Sequence, residues 1–118
     1  MPTITFELKG LPAMTNTSRV HWRKIHKERK RWKMLVWMAT LGERPKEPFK
    51  KAQLTLTRFS AREPDYDGLV SSFKAILDGL VEAKIIADDR PSVVGQPTFR
   101  WEKTNPGSGR IRVEVVPL

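Results

Sequence analysis

Lys51–Asp89 reads KAQLTLTRFSAREPDYDGLVSSFKAILDGLVEAKIIADD, and its two halves carry different periods. In 51–59 apolar and polar residues alternate, with Ala52, Leu54, Leu56 and Arg58 on one face. That period of two is a strand. Pro64 breaks the polar loop 60–67. Over 68–84, Leu69, Phe73, Ile76, Leu77 and Leu80 recur at helical spacing, so one helix is expected there. A strand followed by a helix of this kind points to an α+β domain.

Working outward, TITFELK (3–9) and RIRVEVV (110–116) alternate as strands, and 97–103 reads as another. Residues 93–95 read as a short strand, and Asn105–Gly109 as a hairpin turn. Residues 84–88 would form a strand beside the one ending at Phe59, returning Asp88 and Asp89 towards Asp65. From Arg19 to about Leu41 no breaker occurs, so a second long helix is expected, capped at Thr17 or Ser18. The expected product is one domain over 1–118. It has a mostly antiparallel or mixed sheet of about four to five strands, covered by two main helices.

The 118 residues contain no cysteine and two histidines, which excludes a disulfide scaffold and a thiolate zinc site. No apolar run approaches the ~20 residues of a membrane span, and no secretory leader is visible, so a cytoplasmic protein without a membrane partner is expected. No GxxxxGK[ST] loop is present, so no nucleotide cofactor is expected.

Charge supplies the functional reading. The chain has 22 Lys+Arg against 13 Asp+Glu, a net +9, the footprint of a polyanion binder. All five aspartates fall within 65–89, where they and Glu82 face only Lys74 and Lys84. That window carries −4, leaving +13 on the rest. A carboxylate island in a basic body suits a nuclease that holds the DNA backbone with cations and a divalent metal with oxygens. Between Arg19 and Lys33 eight cations meet one acid, Glu28, with His21, Trp22 and Trp32 interleaved. Arg19, Arg23, Lys24, Lys27 and Lys30, with Asn16 before them, are the expected DNA contacts. Trp22, Ile25, Arg29, Trp32, Leu35 and Val36 share a stripe, which assigns the tryptophans to the core. Met34, Trp37 and Met38 lie off it.

Asp65 and Asp67, two apart in extended chain, point the same way and can reach one cation. At ~100° per residue, Asp67, Ser71, Lys74 and Asp78 fall within about 60° on one stripe of a continuous helix. Each has a plainer use: Asp67 as a helix N-cap, Lys74–Asp78 as an i,i+4 pair, Asp88-Asp89-Arg90-Pro91 as a turn. Oxygen donors suit magnesium or manganese. Pro64-Asp65 with Glu82-Ala83-Lys84 imitates a PD…ExK nuclease, but these ExK residues end a helix where that fold needs a strand.

Three stretches resemble the RusA-type Holliday junction resolvases, in particular short phage and prophage members. Leu11-Pro12 with Asn16 and His21-Trp22-Arg23 is similar to the family's LPP-x-x-N opening. DYDGLVSSFKAILDGL resembles its D-x-D-N-L-x-K-x-x-x-D-x-L segment, and Asp88-Asp89 its paired aspartates. The likeness runs from about residue 9 to 95. Gly68 stands where the family has Asn, and Lys74 comes three residues later than in the shortest pattern, through an insertion or a lysine moved by one turn. The resemblance implies a homodimeric, Mg2+-dependent endonuclease (Mn2+ also serving) that resolves four-way branched DNA in recombination and repair. It assigns catalysis to Asp65, Asp67, Asp89 and Lys74, and metal binding to Asp65, Asp67, Asp89 and Asp88. The rival readings are a non-catalytic phage DNA-binding module and a flap or fork nuclease.

Overall fold

The most buried strand, β2 (Ala52–Ser60), is flanked on both sides in the computed structural model, which describes residues 3–13 and 22–118. The other strands are β1 (Ile4–Lys9), β3 (Thr98–Lys103) and β4 (Arg110–Pro117). They form a four-stranded sheet in the order β1-β4-β2-β3. β4 is antiparallel to both β1 and β2, and β3 is parallel to β2, so the sheet is mixed. Register sets one apolar face: Phe6 lies opposite Val113, and Val113 opposite Leu56. The helices α1 (Trp22–Ala39), α2 (Tyr66–Ser72), α3 (Lys74–Glu82) and the single turn α4 (Pro91–Val94) complete the fold. The core joins Trp32 and Val36 of α1 to Phe73, Ile76 and Leu80 and to the apolar sheet face. The α+β architecture is as the sequence indicates. Among the described residues no helix is long and apolar enough to cross a membrane.

Four local expectations are corrected. The 68–84 helix is two helices that meet at Phe73 (φ −96°, ψ 1°). The Ser71 and Ser72 hydroxyls donate to the carbonyls of Gly68 (3.1 Å) and Leu69 (2.7 Å), and Phe73 N–H reaches Val70 O at 3.1 Å. Serines that compete for helix carbonyls tighten the turn and bend the axis. Residues 93–95 are not a strand, since Pro91 starts a helical turn that ends at Gly95 (φ 58°). Asn105–Gly109 is not a hairpin turn, because β3 and β4 each pair with β2 and not with each other. Finally, Ile86 bridges Phe49, ahead of β2, and not the strand end at Phe59. The Phe49 N–H donates to Ile85 O (2.9 Å) and the Ala87 N–H to Phe49 O (3.0 Å).

α1 and α3 pack closely because Gly79 has no side chain. A Cβ there would lie 3.1 Å from Val36 Cβ and 3.3 Å from Lys33 Cα. This approach brings the basic helix against the segment that carries the aspartates.

Candidate nucleic-acid and metal site

Asp65 sits at the N-cap of α2, where its Oδ1 accepts from Gly68 N–H at 3.0 Å. The capping role expected of Asp67 therefore belongs to Asp65, because the helix starts at Tyr66, two residues earlier than the apolar pattern suggests. Asp67 lies in the first turn, where negative charge suits the helix dipole, and both carboxylates are exposed.

Lys74 opens α3. Its ammonium lies 3.4 Å from Asp78 and 3.4 Å from Asp89. Burial lowers its pKa, but the charges and hydrogen bonds of Asp78 and Asp89 outweigh that, and the net shift is upward. Asp88 is turned elsewhere. Its Oδ1 accepts from Asp89 N–H at 2.7 Å and its Oδ2 pairs with Arg90 Nε at 2.8 Å. The backbone bond from Asp89, then the Arg90 charge, hold its carboxyl below the usual range. The structure thus joins Lys74, Asp78 and Asp89, and places Asp65 and Asp67 at one helix start. The expected site omits Asp78, although its i,i+4 spacing from Lys74 is readable.

All-carboxylate donors are chemically right for Mg2+ or Mn2+, and the Lys74 ammonium shows that Asp89 holds a cation. The placement is not itself a coordination shell, because among the described residues no three His, Cys, Asp or Glu side chains group to hold an ion. A metal at Asp89 must compete with Lys74.

The basic wall is α1. Arg23, Lys24, Lys27 and Lys30 are exposed on it. Asn16, Arg19 and the Thr17 or Ser18 cap lie outside the described residues. A groove of about 670 Å3 runs between α1 and α3, with His26, Arg29, Lys30 and Lys33 on one wall and Asp78 and Glu82 on the other. Lys33 bridges it to Glu82 at 3.1 Å. Glu82 is thereby a surface ion-pair residue, in keeping with rejection of the PD…ExK pattern. A small cavity of about 40 Å3 beside Pro12 and Ala13 is lined by Lys24, Arg29, Ser71 and Lys74. Lys74 and the basic helix therefore face a shared surface.

Of the tryptophans on α1, Trp32 is core at 1% exposure, whereas Trp22 is 66% exposed, which corrects its assignment to the core stripe. Arg58, read on the apolar face of β2, is indeed buried there. Its Nη1 donates to Pro12 O at 2.8 Å, and desolvation lowers its pKa. Among the described residues no carboxylate pairs with it, so its role is to tie the Leu11-Pro12 segment to the sheet.

No family model and no curated protein matches the chain.

Proposed function

We propose that the chain is a metal-dependent endonuclease for branched DNA, with a four-way junction as substrate and a homodimer as the acting form. The observation that carries this reading is the shared groove. Asp78 faces the cations of α1 across it, and Asp78 and Asp89 both hold Lys74. A phosphodiester backbone held by the cations of this groove would lie beside Asp78, which shares Lys74 with Asp89. Binding through phosphates gives affinity without base readout, and selectivity then comes from the shape of the branch.

The residues divide the work by charge. Arg23, Lys24, Lys27 and Lys30 hold phosphates. Asp65, Asp67, Asp88 and Asp89, which the described structure does not group around one point, would converge to hold the ion, which when bound would supply an activated water and charge stabilisation. Lys74, held between Asp78 and Asp89, would offset negative charge on a phosphate bound beside it. Met34, Trp37 and Met38, which are 54%, 43% and 59% exposed, supply an apolar face for a second copy. Two-fold symmetry fits paired cuts in equivalent strands.

One observation favours a second reading, a DNA-binding module without chemistry. Asp65, Asp88 and Asp89 each have local partners, as cap, turn and ion pair. Incubating a labelled four-way junction and a linear duplex with Mg2+ or with EDTA separates the two. Mg2+-dependent cuts in the junction support the nuclease, and tight binding without cuts supports the module.

A further inference from the structure

We infer that Trp22, at the first turn of α1, stacks on unpaired nucleobases of single-stranded or branch-point DNA. The inference rests on the DNA-binding reading and names the part of the substrate that α1 selects. Trp22 leaves two thirds of its surface in water, 66%, while Trp32 on the same helix leaves 1%. Among the described residues, an arginine and an imidazole stand beside its ring. The Arg23 guanidinium lies 5.6 Å from its ring centroid, and the His26 ring meets it nearly edge-on at 6.3 Å and 69°. Lys24 and Lys27 are exposed alongside.

An aromatic face among cations matches a nucleic-acid strand, because phosphates take the charges while a base takes the ring. Paired bases are already stacked, and separating a step costs a few kcal/mol. Unpaired bases carry no such cost, so the ring favours them. Trp22 is also separate from the apolar surface offered for dimerisation. Trp37 lies fifteen residues further along α1, about 22 Å at 1.5 Å per residue.

The test is binding in EDTA to an oligothymidylate and to an abasic oligomer of equal length, which keeps the phosphates and removes the bases. Tryptophan emission and anisotropy are read for the wild type, Trp22→Ala and Trp22→Phe, with circular dichroism and light scattering as checks on fold and mass. Wild-type emission is quenched by the oligothymidylate. Trp22→Ala loses that quenching and binds it roughly 5- to 150-fold more weakly, Trp22→Phe retains most of the affinity, and both change binding to the abasic oligomer by no more than about twofold. Equal losses on both oligomers, no loss on the oligothymidylate, or a halved mass in Trp22→Ala would overturn the stacking role. A wild type that binds neither oligomer removes the DNA-binding reading itself.

Discussion

The Lys74 ammonium reaches Asp89 across fifteen residues of sequence, at 3.4 Å, and holds Asp78 at the same distance. A protein cation thus occupies carboxylates that the proposed function assigns partly to a metal. Replacing Lys74 by Met removes a competitor and a positive charge. Titration with Mn2+ followed by electron paramagnetic resonance should show tighter binding in Lys74→Met, whereas junction cleavage should fall. Weaker or unchanged Mn2+ binding would contradict competition at Asp89. The pH response has a definite sign. The folded pKa of Lys74 is raised above its ordinary value of about 10.4. The stabilisation from this pair is therefore complete below that value and is lost as pH rises through the folded pKa.

Asp65 separates structure from chemistry. Asparagine also caps helices, whereas alanine does not. Asp65→Asn should keep thermal stability near that of the wild type and lose cleavage. Asp65→Ala should lose cleavage and about 1 kcal/mol of stability as well. Denaturant unfolding with a parallel cleavage assay checks both. Equal stability of the two variants would remove the capping role that the 3.0 Å bond to Gly68 implies.

Changing Arg23, Lys27 and Lys30 together to Ala should weaken binding to junction and duplex alike. The slope of log affinity against log salt should fall by roughly 0.9 for each phosphate that α1 no longer neutralises. An unchanged slope would place the DNA elsewhere than on α1.

Light scattering at micromolar concentration should return about twice the 13.6 kDa subunit mass. Met38→Glu should return the single mass, because a carboxylate buried in an apolar interface is strongly disfavoured. A monomer that stays monomeric on a junction would leave single nicks as the only available chemistry.

The alternation in β1, β2 and β4 and the apolar spacing of 69–80 made the α+β architecture legible, because both periods report burial on one face. What stayed hidden was set by longer-range pairing. The β3–β4 turn looks like a hairpin until β2 enters between them, and nothing local in Asn105–Gly109 shows that. The break at Phe73 follows from the serine hydroxyls of 71 and 72, a local cause outweighed by the strength of the apolar period. Within the site, Lys74–Asp78 is an i,i+4 pair that spacing gives directly. The Lys74–Asp89 contact depends on the return through Ile86 to Phe49. Trp22 shares a helical stripe with Trp32, but a stripe cannot say how far along α1 the core extends.

Junction cleavage by wild type and Asp89→Asn in Mg2+, with binding measured alongside in EDTA, decides whether the carboxylates carry out chemistry. A metal-dependent resolving nuclease makes paired cuts as the wild type, and EDTA abolishes them. Asp89→Asn should make no cuts, and its binding should be equal or tighter because a negative charge beside the phosphate is gone. Equal cleavage by the two proteins, or wild-type cleavage that persists in EDTA, would contradict the nuclease reading.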